Sequence, residues 1–151
     1  MTHPLSHLPG WVRSASGDTA EGIPRIEQGI RDLRATGAVL GLPHNLSLKA
    51  EALYLADRTP EALEVINEAE ALAERIEVRG MLSRLHRLRG VFLAAMDAEE
   101  AQIEVSFCEA IRIARKQKSI SMAKRAEGTY AEFRHQRMSA SGGRGFRLAL
   151  L

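Results

Sequence analysis

Residues 46–75 read LSLKAEALYLADRTPEALEVINEAEALAER, and the fold turns on this stretch. Leu46, Ala50, Leu53 and Tyr54 or Ala56 recur every three to four residues, the spacing of one helix face. Thr59-Pro60-Glu61 then restarts the pattern with a capping side chain, a proline whose missing N–H costs nothing there, and an acidic first turn. The helix it opens gathers Ala62, Val65, Ile66, Ala69, Leu72, Ala73 and Ile76 on one face, and its other face is acidic. Two such helices make a hairpin that cannot cover its own apolar stripe and must stack on a neighbour.

Outward from this hairpin the spacing recurs at about forty residues. Gly10, Ala50, Gly90 and, one residue late, Ala131 align on the first helix of each pair. On the second helix the shift aligns Gly22 with Ala62 and Ile103, Ile26 with Ile66 and Phe107, Gly29 with Ala69 and Ala110, and Leu33 with Ala73 and Ala114. Small residues recur where helices approach closely, and bulky ones where a gap must be filled. Upstream, Asp18 with Glu21 forms a capping box, Pro24 implies that regular helix starts near Gly22, and Gly37 supplies a left-handed stop. Downstream, a helix carries Leu85, Leu88, Val91 and Phe92, Asp97 with Glu100 caps the next, and Ser119 opens a last one to about Arg137. Residues 139–145 are rich in Ser and Gly, and residues 146–151, FRLALL, form a short apolar end expected to fold back on the last helix or to pair two chains.

Composition agrees. With 151 residues, 45% apolar and 26% charged, one globular domain is expected, and the 5% aromatic content beside abundant Ala, Glu, Leu and Arg favours helix. Cys108 is the one cysteine, which excludes an intrachain disulfide and suits a reducing compartment; beside Phe107 it reads as a buried, inert thiol. The start MTHPLSHLPGW lacks a basic lead into an apolar run, and no apolar run approaches a membrane span, so a soluble, cytoplasmic protein is expected.

The pattern over roughly residues 10–137 resembles the tetratricopeptide repeat in a degenerate bacterial form, with a period nearer forty than the usual ~34 and Glu74 where a closing proline is expected. The runs EALEVINEAEALAER, LSRLHRLRGVFLAAM, SFCEAIRIARKQKS and TYAEFRHQR look like the C-terminal repeat region of large bacterial predicted ATPases linked to adenylate/guanylate cyclase or winged-helix domains. The resemblance implies an all-α, right-handed solenoid of about three antiparallel helix hairpins: an incomplete N-terminal helix or loop at 1–17, the repeat domain at 18–137 and a flexible tail at 138–151. It also implies a scaffold that docks a protein partner or regulates attached domains, and it places His7, Trp11, Ser47, Glu51, Tyr54, Arg84 and Arg87 near a concave groove. Arg84 and Arg87, one turn apart, suit a partner's carboxylates, and Trp11 and Tyr54 supply stacking area. No phosphate-binding loop with its lysine occurs, so neither ATPase nor cyclase activity carries over, and no enzyme is expected.

Charge offers an alternative. Residues 1–78 hold seven Lys/Arg against twelve Asp/Glu, and residues 79–151 fourteen against seven. Arg112, Arg115, Lys116, Lys118, Lys124 and Arg125 gather around one interhelical turn and form a candidate site for a polyanion such as nucleic acid, although no aromatic platform or DNA-reading motif accompanies them. The five histidines lack the spacing of a metal site, the paired acids suit a solvated face, and neither metal nor cofactor is expected. Partners are thus a protein or peptide segment, self-association through open repeat ends or, second to these, nucleic acid, and no membrane.

Overall fold

The structure, a computed structural model, describes residues 19–139 and 148–150. These residues form six helices: α1 (Thr19–Thr36), α2 (Leu42–Leu55), α3 (Thr59–Arg75), α4 (Leu82–Ala95), α5 (Glu100–Lys116) and α6 (Ile120–Ser139). Single 3₁₀ turns at Val39–Gly41 and Arg79–Met81 precede α2 and α4, and no strand occurs among the described residues. The chain divides into two compact units, Met1–Leu72 and Ala73–Leu151, with the boundary inside α3.

The repeat is visible in the helix lengths. Helices α2 and α4 each span 14 residues, and α3 and α5 each span 17. From Leu42 to Leu82 the step is forty residues, whereas from Thr59 to Glu100 it is forty-one. The extra residue enters at the joint between α4 and α5, where residues 96–99 replace the three-residue joint 56–58.

Every joint has one left-handed residue at its first or second position: Gly37, Asp57, Glu77, Asp97 and Lys118, with φ between 55° and 76°. At the end of α2 the Asp57 N–H donates to Tyr54 C=O at 3.1 Å and the Arg58 N–H to Leu53 C=O at 2.8 Å. The same two bonds recur from Gly37 and Ala38, Glu77 and Val78, Asp97 and Ala98, and Lys118 and Ser119. This arrangement ties off carbonyls that a helix end would leave unpaired, and it reverses the chain within a few residues. Only Gly37 adopts it without a Cβ penalty. Asp97 therefore ends α4 instead of capping α5 as the sequence suggests; the extra residue of this joint moves the N-cap to Glu99, which makes no side-chain capping bond. Helix α1 is already helical at Thr19, the first described residue and ahead of the expected start near Gly22, and it runs through Pro24, which lies on its exposed side. Asp18 lies outside the described residues.

In unit 1, Ile23, Ile26 and Ile30 of α1 are buried, as are Leu46, Ala50, Leu53 and Tyr54 of α2 and Ala62, Ile66 and Ala69 of α3. In unit 2, α4 packs along α5, and α6 packs on both. Gly90 is the close-approach point: a Cβ built there would lie 2.7 Å from the Phe107 ring. Phe107 in turn stacks on Tyr130 at 5.6 Å and meets Phe133 at 5.8 Å between ring centres. The Ser83 hydroxyl donates to Ala110 C=O at 2.8 Å and pins α4 to α5 a second time. Cys108 is exposed, against expectation: Phe107 takes the inward position, and the next residue on a helix points about 100° away. Ala131, expected to continue the small-residue series, is also exposed, because among the described residues no later helix lies over α6.

Candidate functional site

The α4 sequence LSRLHRLRGVFLAA buries Leu85, Leu88, Val91 and Phe92 completely, and this fixes which way its other residues point. Arg87 lies on the same helix and is only 3% exposed, an unusual position for a guanidinium. A buried cation must find acceptors, since leaving it unsolvated costs several kcal/mol. Arg87 Nη1 donates to the main-chain carbonyl of Leu150 at 2.6 Å, a short charge-assisted bond. Leu148, two residues earlier, is 2% exposed, whereas Ala149 between them is exposed. Residues 148–150 carry no regular secondary structure, and burial alternates along them as in an extended segment. Unit 2 thus already holds a short extended segment by one side chain and one carbonyl.

A second feature of unit 2 is a cleft of about 520 Å³ bordered by Glu74, Arg79, His86, Glu109, Arg112 and Lys116. Glu109 and Arg112 form a two-pronged ion pair, with Nε to Oε2 at 2.8 Å and Nη2 to Oε1 at 2.5 Å. This pairing holds the Glu109 carboxyl below the usual carboxylate range. The Gln117 amide donates to Arg79 C=O at 2.9 Å, linking the end of α5 to the turn before α4. Burial pushes the His86 imidazole down from its ordinary value; Glu109 and Glu74 oppose the shift and Arg112 adds to it. The cleft mixes both signs of charge, and among the described residues no cluster of His, Cys, Asp and Glu could hold a metal.

The sequence-derived groove residues are placed differently from one another. Trp11 and His7 lie outside the described residues. In unit 1, Tyr54 and Ser47 are fully buried, and the Ser47 hydroxyl donates to His44 C=O of its own helix at 2.7 Å; Glu51 is half-buried. In unit 2, Arg84 is half-buried and Arg87 is the buried arginine described above. The six polyanion candidates are all exposed around the joint of α5 and α6, but Arg112 is engaged by Glu109, and Arg115 pairs with Glu127 at 2.7 Å. Sequence reasoning missed the place of His86 at the cleft, and it expected residues 146–151 to fold back on the last helix within a flexible tail, whereas Leu150 is bonded to α4 through Arg87 and Leu148 is buried. The repeat alignment held a signal for the first, because His86 falls where Leu46 stands one period earlier.

No family model matches the chain. "Uncharacterized protein R02095" of Rhizobium meliloti (strain 1021) is 31% identical over 123 residues, which cover 82% of this chain and 12% of that protein. The chain therefore spans about an eighth of the length of the curated relative it matches. Among solved structures, Bacillus thuringiensis PlcR in complex with the peptide PapR7 and DNA is similar, with a TM-score of 0.68 and 26% identity over 79% of this chain and 42% of that one. The fold is all-α and tetratricopeptide-like. Among the described residues no helix is long and apolar enough to cross a membrane.

Proposed function

We propose that this chain is a non-enzymatic, peptide-binding repeat module that takes an extended protein segment on the Arg87 face of α4 and serves as a regulatory or sensing part of a larger signalling protein. The observation that carries the reading is the buried Arg87 guanidinium donating to the Leu150 carbonyl while Leu148 is buried beside it in sequence. A donor aimed at a main-chain carbonyl reads backbone, so one face can accept many sequences, and a buried leucine adds a pocket-type anchor. PlcR, similar over 79% of this chain, was captured with a peptide, which supports the reading. The match to 12% of a longer Rhizobium meliloti protein supports a module that works attached to other domains. Linkage to an ATPase or cyclase would be visible in the coding frame upstream of residue 1.

The test is selection of displayed random peptides on the immobilised full chain, followed by chemical-shift mapping of the enriched ones. Enrichment of leucine-bearing peptides that perturb α4 resonances around Arg84 and Arg87 is the expected result. No enrichment, or perturbation confined to α1, counts against the site.

A second reading has its own observation. Lys116, Lys118, Lys124 and Arg125 remain exposed around one joint, and the PlcR structure also contains DNA. Four phosphate contacts would give a salt slope of about −3 to −4 for DNA retention. Neutralising Lys116, Lys118 and Lys124 should flatten that slope, and a slope unchanged by the triple variant removes this reading.

A further inference from the structure

We propose that residues 148–150 are an internal stand-in for the ligand: the segment occupies the Arg87 site in cis, so an outside peptide binds by displacing it and must share its chemistry. The inference rests on the peptide-binding reading and adds both the kind of partner and the regulation of that site. The partner is an extended segment with a leucine at the position of Leu148 and a hydrogen-bond acceptor two residues on, at the position of the Leu150 carbonyl.

Three observations support this. Arg87 has its guanidinium committed to a carbonyl 63 positions away in sequence, across a bond of 2.6 Å. Leu148 is buried as completely as the core leucines of α4, although it belongs to no helix or strand. The repeat alignment marks the position as exceptional: where α4 has Arg87, α2 has Ser47, a small hydroxyl satisfied by its own helix at His44. A helix-packing role needs no arginine there, as Ser47 demonstrates, whereas a role in holding an extended segment does. At Leu150 the acceptor is a neutral main-chain carbonyl, so this contact reads backbone and not a side chain.

Tethering makes the internal segment a strong competitor, since a segment on the same chain meets its site at a high effective concentration. If the segment is docked 90–99% of the time, an outside peptide binds roughly ten- to a hundredfold more weakly than it would at an empty site. Loosening the segment should release that factor.

The experiment uses the full chain and a fluorescein-labelled peptide FRLALL, the sequence of residues 146–151, read by fluorescence anisotropy. Leu148→Asp should bind this peptide at least tenfold more tightly than the wild type, Leu148→Ala should fall between, and the peptide FRDALL should bind none of them. If Leu148→Asp loses its helical circular dichroism, the comparison of Leu148→Ala with wild type decides in the same direction. Equal affinity of the folded variant and the wild type for FRLALL, or binding of FRDALL as good as FRLALL, overturns the proposal. A variant that ignores FRLALL yet binds display-selected peptides as well as the wild type refutes the internal stand-in and spares the peptide-binding reading. A variant that binds neither refutes both.

Discussion

Hairpins α2–α3 and α4–α5 have the same helix lengths, the same left-handed stops and the same 3₁₀ lead-in, yet they solve their packing with different residues. The first places Ala50 and Ile66 at the two equivalent positions where the second places Gly90 and Phe107. One methyl lost from the first helix is matched by a larger side chain on the second, so the volume between helices is exchanged across the joint and not changed. At two other positions the exchange is not of volume but of chemistry: Leu46 becomes His86, and Ser47 becomes Arg87. Both sit in the first turns of α4, one at the cleft and one against residues 148–150. The repeat therefore teaches that packing positions conserve volume between hairpins, and that function is to be sought where a period replaces an apolar or small residue by a titratable one.

The largest expected effect breaks the packing half of this comparison. Gly90→Ala drives a methyl into the Phe107 ring, which is fully buried and backed by Tyr130 and Phe133, so denaturant unfolding should show a loss of about 1–3 kcal/mol. Adding Phe107→Ile, which copies the Ala50/Ile66 pair, should recover part of that loss, with a double-mutant coupling of roughly 0.5–3 kcal/mol. Strict additivity would mean that the two positions do not exchange volume.

Next comes the arginine. Arg87→Met removes a charged donor from a part-buried carbonyl contact worth about 1.5–3 kcal/mol, and hydrogen exchange of residues 148–150 should rise accordingly. Ser47→Ala, its counterpart in α2, should leave that exchange unchanged. A smaller gain is expected at the non-glycine stops: Glu77→Gly or Lys118→Gly relieves a left-handed Cβ and should stabilise by up to about 1 kcal/mol in thermal unfolding, whereas Asp97→Gly tests the same point at the longer joint.

The smallest effect concerns pH. The folded-state value of His86 lies below its unfolded value of ~6.5, so the unfolded chain binds the proton more readily. Its contribution is fully present above that unfolded value and is lost as pH falls through it toward the folded value. The groups facing it are Glu74 of α3, Arg79 of the 3₁₀ turn, Arg89 of α4, whose Nη1 lies 3.2 Å from His86 Nδ1, and Glu109, Arg112 and Lys116 of α5. His86→Leu restores the residue of the α2 hairpin and should flatten this part of the stability profile below the unfolded value of ~6.5. A profile unchanged by the substitution would assign the acid sensitivity elsewhere.

Much of the fold was legible in the sequence because it depends on spacing. Ala62, Ile66, Ala69 and Ala73 align with Ile103, Phe107, Ala110 and Ala114, and all eight are buried. The joints were legible only at Gly37, since Glu77 and Lys118 carry no composition signal for a left-handed turn and Asp57 and Asp97 only a weak one, and Asp97 resembled a cap of the following helix. Cys108 was misplaced by a single helical step. At the candidate site, Arg87 was singled out for its charge but its burial was not foreseeable: an arginine on a helix face reads as solvated until something 63 residues away is known to lie on it. Tyr54 and Ser47 were selected for surface chemistry by their repeat position, and their small or flat side chains turn inward at it.

The most direct measurement is the affinity of one display-selected, leucine-bearing peptide for the wild-type chain, for Arg87→Met and for Ser47→Ala, with helical content checked by circular dichroism. A peptide site at Arg87 predicts saturable binding that weakens at least tenfold in Arg87→Met and is unaltered in Ser47→Ala. Equal binding by all three folded chains would contradict it.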